Sequence, residues 1–180
     1  SLGMKHIALT DHGNMFGALR FYEECKANDI NPVIGCEFYV APGSRHVKSG
    51  SENGNKYYHL VLLAKSEKGY KNLMELCSAG YTEGFYYKPR IDDEILANYT
   101  DEIIVSSACL AGEIPQHILN GKLEEAEKKA LFYNDLFGQD NFYLELQDHG
   151  IPDQHKVNDE LIKLSRKTGI PLIATNDSHY

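Results

Sequence analysis

Side chains that can bind divalent metal ions recur along this sequence within or next to its apolar stretches. They are Asp11, His12, Glu37, His59, Cys109, Asp148, His149, Asp177 and His179. Imidazole, carboxylate and thiolate groups suit Zn, Mn or Fe, and several such groups can bind metals in pairs. Paired metals about 4 Å apart polarise a phosphoryl group and generate hydroxide near neutral pH. The residue types therefore indicate metal-dependent phosphoester hydrolysis, on condition that these side chains gather at one site.

The first of these positions shows the pattern most plainly. In the stretch 7–15, four mostly apolar residues lead into Asp11 and His12, Gly13 follows, and a helical pattern begins. A buried strand that delivers reactive side chains into the loop at its carboxyl end is the usual way in which α/β proteins build an active site. A histidine beside an aspartate is also typical of a hydrogen-bonded turn, so the pair alone does not decide between the two.

Three further residues are supported by their own surroundings. Glu37 lies within the otherwise apolar run 33–40, where an unpaired carboxylate would be costly to bury. It needs a cation or an arginine as a partner, and we favour the cation. Asp177 and His179 are separated by one residue as the chain leaves a strand, so their side chains point the same way.

The other candidates are ambiguous from spacing alone. His59 lies near the start of its predicted strand, and an isolated cysteine such as Cys109 is most often a small core residue. Asp148 and His149 precede a glycine and a proline, which is equally typical of a capped helix start. These four residues therefore have both a structural and a metal-binding interpretation.

Alternating strands and helices position these side chains. Apolar runs predict strands at 5–10, 33–40, 57–64, 103–107, 141–147 and 170–175, and apolar residues three or four apart predict helices at 14–27, 66–82, 123–137 and 152–169. This alternation is typical of an α/β fold with a largely parallel sheet. An open doubly wound sheet and a barrel both fit, although a complete (β/α) barrel usually needs about 250 residues.

Length and composition limit the class of protein. The 180 residues suit one domain, 1–180, or part of a larger one, and 42% hydrophobic with 24% charged residues is ordinary for a soluble protein. No apolar run approaches the roughly 18 residues of a membrane span. A net charge of −8 argues against a broad basic surface for nucleic acid. Four cysteines without a C-x-x-C pair favour a reducing, cytoplasmic compartment.

Several long motifs occur in order along the whole chain, and together they resemble one known family. They are residues 9–15 (LTDHGNM), 34–37 (IGCE), 40–45 (VAPGSR), 57–64 (YYHLVLLA), 84–90 (GFYYKPR), 107–113 (SACLAGE), 143–152 (YLELQDHGIP) and 174–180 (ATNDSHY). In these motifs the sequence closely resembles the PHP (polymerase and histidinol phosphatase) domain of bacterial replicative DNA polymerase III alpha subunits.

The resemblance implies a fold and a ligand set. The fold would be a distorted seven-stranded (β/α) barrel of the PHP type, here incomplete because the first strand, with its His-x-His and a following Asp, is missing. The expected cofactor is a cluster of two or three divalent metal ions, Zn, Mn or Fe, at the carboxyl ends of the strands. The family's ligand positions fall on His12, Glu37, His59, Cys109, Asp177 and His179. Asp11 would orient the ligand next to it.

The resemblance also implies an activity and partners. The domain would be a phosphoesterase, with 3′–5′ exonuclease (proofreading) activity in an intact polymerase, where His12, Asp177 and His179 act on metal-bound water. DNA at the primer 3′ end, the remaining polymerase domains and other replisome subunits would be its partners, and no membrane is involved. The palm, fingers and DNA-binding regions are absent, so this fragment alone is expected to be inactive. The alternatives are a non-catalytic module that supports the polymerase and a stand-alone enzyme like histidinol phosphatase.

Overall fold

The computed structural model describes residues 3–49 and 54–179, which form seven strands and six helices. In chain order these are β1 (His6–Leu9), α1 (Ala18–Ala27), β2 (Asn31–Val40), β3 (Tyr58–Ala64), α2 (Glu67–Thr82), β4 (Arg90–Ile91), α3 (Asp93–Leu96), β5 (Ile103–Ser106), α4 (Glu113–Leu119), α5 (Leu123–Phe137), β6 (Phe142–Leu146), α6 (Pro152–Thr168) and β7 (Leu172–Ala174). The described residues divide into two compact units. The first comprises 3–57 and 61–104, and the second comprises 58–60 and 105–179.

In the first unit β2 is the central strand. It pairs in parallel with β1, from His6 opposite Asn31 to Leu9 opposite Ile34, and it pairs in parallel with β4 at its other end. Every residue of β2 from Gly35 onward is buried, as expected of a parallel strand that is covered on both faces. Helices α1 and α2 pack against β2, and α2 also packs against β4.

In the second unit the parallel pairing runs from β5 through β6 to β7. Helices α5 and α6 pack against β6, and α4 packs against both of these helices. The core of this unit includes Tyr133 of α5 and Phe142 of β6, whose ring centroids lie 5.5 Å apart. Helix α6 ends at Gly169, which has a left-handed backbone with φ of 77°, as the sequence predicts for a glycine in that place.

Two buried arginines stabilise the chain that follows β2 in the first unit. The Arg45 guanidinium donates to Asp92 at 2.9 Å and lies 2.7 Å from a Glu83 oxygen, and the Arg45 main-chain N–H donates to Asp92 at 2.7 Å. Desolvation lowers the pKa of Arg45, but the hydrogen bonds to Glu83 and Asp92 outweigh it and raise that pKa above its usual range. Arg90 donates to several main-chain carbonyls, including that of Val47 at 2.9 Å.

The predicted α/β class, with parallel strands as in an incomplete (β/α) barrel, is confirmed by the ladders within each unit. The largest difference from the predicted boundaries is at the start of α1. Helix α1 begins at Ala18 rather than Asn14, because the Asn14 side chain accepts from Phe16 N–H at 3.1 Å and donates to the His12 carbonyl at 3.0 Å, which stabilises a turn instead. The short elements β4 and α3 were not predicted. None of the described helices is both long and apolar enough to cross a membrane.

Candidate metal centre

His12 and Glu37 form a side-chain pair in the first unit. The ladder between β1 and β2 continues beyond Leu9, because Glu37 N–H donates to the Asp11 carbonyl at 3.0 Å and Gly13 N–H donates to the Glu37 carbonyl at 2.9 Å. Residues opposite each other in a parallel ladder have side chains on the same face. The His12 Nε2 atom therefore lies 3.3 Å from Glu37 Oε2.

The environment of this pair suits a cation. Glu37 is only 4% exposed, whereas the His12 side chain keeps 35% of its surface, so one partner is buried and the other faces solvent. A buried carboxylate is costly unless it is paired or coordinates a metal. One oxygen and one nitrogen at this separation can bind the same divalent ion. Burial, and then the neighbouring Tyr57 and Glu37, raise the pKa of Tyr39, which keeps its phenol neutral next to Glu37.

A glycine directly after His12 allows the turn to form. Gly13 has φ of +67°, a conformation that side chains disfavour, and a Cβ atom there would lie 2.9 Å from the Tyr39 ring. Asp11, which was predicted to orient His12, contributes its main-chain carbonyl to the ladder with Glu37. An orienting role for the Asp11 carboxylate stays a prediction.

The second unit brings His59 and Cys109 together. His59 is the second residue of β3, and its N–H donates to the Ala111 carbonyl at 3.0 Å, in a parallel bridge with Gly112. The Cys109 Sγ atom lies 3.8 Å from His59 Nδ1. Ala108, just before this cysteine, has a left-handed backbone with φ of 62°. The pair combines a soft sulfur donor with imidazole, as in many zinc and iron sites.

Asp177 and His179 follow β7 directly, also in the second unit. Asp177 has φ of 44°, and His179 Nδ1 lies 2.7 Å from the Asp177 main-chain carbonyl. A carbonyl can only accept, so Nδ1 carries the proton of the neutral ring and Nε2 carries the lone pair. Histidine ligands of metals are commonly oriented in this way, through a hydrogen bond from their other ring nitrogen.

Asp148 and His149 belong to the start of α6 in this structure. The Gly150 N–H and the His155 ring, in that order, lower the pKa of Asp148 below its usual range. His149 Nδ1 lies 2.8 Å from the Gln154 amide nitrogen, and its Nε2 lies 2.7 Å from the Asn176 carbonyl. Both ring nitrogens of His149 therefore have partners in the protein, which favours the structural alternative for this residue.

One buried acidic residue in a strand, Glu145, was not predicted from the sequence. Glu145 on β6 accepts from the Gln147 amide at 2.9 Å and the Thr175 hydroxyl at 2.5 Å, and Ser106 donates to its other oxygen. The sequence did carry a signal for this residue, because Glu145 stands in an apolar strand just as Glu37 does.

Among the predicted ligands, the structure brings three pairs together within the units. They are His12 with Glu37, His59 with Cys109, and Asp177 with His179.

Comparisons with known proteins show the family to which this chain is similar. A family model described as PHP domain matches residues 1–149. The chain is 54% identical over 180 residues to the DNA polymerase III subunit alpha of Treponema pallidum and 54% identical over 177 residues to that of Borreliella burgdorferi. It is 49% identical over 175 residues to the corresponding subunit of Thermus aquaticus. The matches cover 100%, 98% and 97% of this chain but only 15%, 15% and 14% of those relatives.

Proposed function

Because the chain belongs to the PHP domain family, we propose that it is the metal-dependent phosphoesterase domain of a bacterial DNA polymerase III alpha subunit. In the intact subunit it would act as a 3′–5′ exonuclease that removes the terminal nucleotide of a primer. The observation that carries this proposal is the buried Glu37 carboxylate paired with His12. The relatives named DNA polymerase III subunit alpha support the larger context, and they favour it over a stand-alone phosphatase.

The donor set fits divalent Zn, Mn or Fe. We assign His12 and Glu37 from the first unit, and His59, Cys109, Asp177 and His179 from the second, as the ligands. Bound ions would polarise the phosphodiester and lower the pKa of water, so that hydroxide forms near neutral pH. Oxygen, nitrogen and sulfur donors together suit these borderline metals better than Mg or Ca, which prefer oxygen alone.

Several of the ligands and their neighbours have distinct roles in this proposal. Glu37 supplies a negative charge in a buried place, where the dielectric constant is low and its attraction for a cation is stronger than in water. His12, Asp177 and His179 are partly exposed and can therefore reach both an ion and a substrate phosphate. The hydrogen bond from His179 Nδ1 leaves Nε2 as the donor atom. Asp11 and Gly13 keep His12 beside Glu37 through main-chain hydrogen bonds.

The proposed partners and location follow from the same context. DNA at the primer 3′ end would be the substrate, and the other polymerase domains, which carry DNA-directed nucleotide transfer, would present it. The net charge of −8 implies that most phosphate contacts come from outside this chain or through bound metal. We place the subunit in the cytoplasm with the other replisome proteins.

The test is made on the full-length subunit that contains this chain. Metal content is measured by mass spectrometry, and release of 3′ nucleotides is measured on single-stranded and mismatched primers, with and without a chelator. His12→Ala and Asp177→Ala are expected to lose metal and to reduce nucleotide release at least 100-fold. His46→Ala is the matched control, since His46 is exposed on a loop and lies outside the ligand set. A wild-type protein that binds no metal and releases no nucleotide would refute the proposal and leave the non-catalytic supporting module.

A further inference from the structure

The residues that follow β7 carry two of the proposed ligands in a backbone conformation that needs support. We call residues 175–179 the exit segment. Within it Asp177 has φ of 44°, in the left-handed region, which is unfavourable for a residue with a side chain. Such a conformation persists only where neighbouring contacts determine it. Two residues of the exit segment, Thr175 and Asn176, make such contacts.

Glu145 fixes the beginning of the exit segment. Its Oε1 accepts from the Thr175 hydroxyl at 2.5 Å, while Thr175 N–H donates to the Leu146 carbonyl at 3.1 Å. The carboxylate is itself held, because Gln147 donates to Oε1 at 2.9 Å and Ser106 donates to Oε2. Glu145 is only 7% exposed, so water competes little for these hydrogen bonds. Both the main chain and the side chain of Thr175 are therefore fixed to β6.

His149 fixes the next residue, and its proton position follows from its neighbours. The Gln154 side-chain oxygen accepts from His149 N–H at 2.8 Å, so the other end of that amide, the NH₂ group, faces His149 Nδ1 at 2.8 Å. Nδ1 must then accept, which places the ring proton on Nε2. Nε2 donates to the Asn176 main-chain carbonyl at 2.7 Å. Gln154 is 4% exposed and stands in the first turn of α6, so the ring is oriented from a rigid element.

We propose that Glu145 and His149 are positioning residues of the metal site, which hold the exit segment so that Asp177 and His179 face a bound ion in one conformation. The inference rests on the proposed function, since it presumes that these two residues are ligands. Neither positioning residue needs to touch metal or substrate. Their contribution is to lower the ordering cost of ligand binding, because a preorganised donor loses less conformational freedom when the ion arrives.

The test uses Co²⁺ titration of the full-length metal-free subunit, with the absorption of bound Co²⁺ as the signal. The signal of this site is the part that Asp177→Ala abolishes. Thr175→Val keeps the shape of the side chain and removes the hydroxyl that donates to Glu145, whereas Thr175→Ser keeps the hydroxyl. His149→Ala removes the donor to Asn176. Thr168→Val is the matched control, since its hydroxyl donates within α6 to the Leu164 carbonyl at 2.8 Å.

Thr175→Val and His149→Ala are expected to weaken Co²⁺ binding about 10- to 100-fold, as is typical when the partners of metal ligands are removed. Thr175→Ser and Thr168→Val are expected to bind as the wild type does. In the metal-free state Thr175→Val and Thr168→Val should melt within about 2 °C of each other, since each loses one hydrogen bond that its hydroxyl donates and one that it accepts. A general loss of structure would separate these two melting temperatures, and that result would overturn the positioning role.

The outcomes separate this inference from the proposed function. If the wild type and Asp177→Ala give the same Co²⁺ signal, the site does not bind metal and the proposed function fails together with the inference. If the wild type shows the signal and Thr175→Val and His149→Ala bind Co²⁺ with unchanged affinity, the site is real and only the positioning role is refuted.

Discussion

Gly112 is the position where a single added methyl group should most directly disturb the second unit. A Cβ atom there would lie 2.1 Å from the Ser107 carbonyl oxygen, about 1.3 Å closer than the 3.4 Å at which ordinary contacts begin. It would also lie 3.2 Å from the Cys109 carbonyl. The conflict is thus with main-chain atoms, which cannot rotate away as the end of a flexible side chain can. Gly112→Ala must therefore displace the turn between β5 and α4.

The cost follows from what holds that turn in place. Ser107 N–H donates to the Tyr143 carbonyl at 3.0 Å, Gly112 N–H donates to the Cys109 carbonyl at 2.9 Å, and His59 N–H donates to the carbonyl that precedes Gly112. Overpacking of this kind costs about 1–3 kcal/mol. Loss of one of these hydrogen bonds adds about 1 kcal/mol. We expect Gly112→Ala to lower the free energy of unfolding by about 2–4 kcal/mol.

The loss of stability is measured by thermal unfolding followed by circular dichroism. At 2–4 °C per kcal/mol for a chain of this size, the melting temperature should fall by roughly 5–15 °C. Gly43→Ala is the matched control, since no heavy atom lies within 4 Å of its added Cβ and its φ is not positive. The control is expected to stay within about 0.5 kcal/mol of the wild type. If Gly112→Ala melts at the same temperature as Gly43→Ala, the main chain around Gly112 has room for a side chain and this prediction is refuted.

Two further predictions concern stability. Asp92→Ala removes a buried partner of Arg45 and should lower the free energy of unfolding, measured by urea denaturation, by about 3 kcal/mol. This is the low end for a broken buried ion pair, because Glu83 still pairs with the guanidinium. An unchanged urea midpoint would contradict this prediction. The lowered pKa of Asp148 contributes stability that is present above its unfolded pKa of about 3.9 and is lost as the pH falls through the lower folded value. Asp148→Asn should therefore melt below the wild type at pH 5, and the difference should shrink as the pH falls below about 3.9. A difference that stays constant as the pH falls would refute this prediction.

The strands and helices could be predicted where their apolar patterns were long. Residues 33–40 formed an apolar run that β2 contains, and the helix at 123–137 has the bounds that were expected. The two-residue strand β4 and the four-residue helix α3 are too short to show any period. The start of α3 did carry one local signal, because Asp92 accepts from Ile95 N–H at 3.1 Å as an N-terminal cap.

The site could be predicted only in part, for a physical reason. Glu37 was recognisable because a carboxylate in an apolar run must have a partner, and the same argument applied to Glu145 would have found the network around it. The contact of Cys109 with His59 joins residues far apart in the chain, and it depends on how β3 meets the turn after β5. The roles of Asp148 and His149 depend on hydrogen bonds to Gln154 and the exit segment, which residue spacing cannot supply.

The pairing of His12 with Glu37 is determined by main-chain hydrogen bonds on either side of both residues. Neither side chain is needed to bring the other close, so the two positions can accept new donors without altering the strands. Exchanging His12 for cysteine would soften the site toward thiolate-binding metals, and exchanging it for aspartate would harden it toward manganese or magnesium. Because the main chain alone places these two residues, substitutions at position 12 can change the metal preference of the site while the fold stays the same.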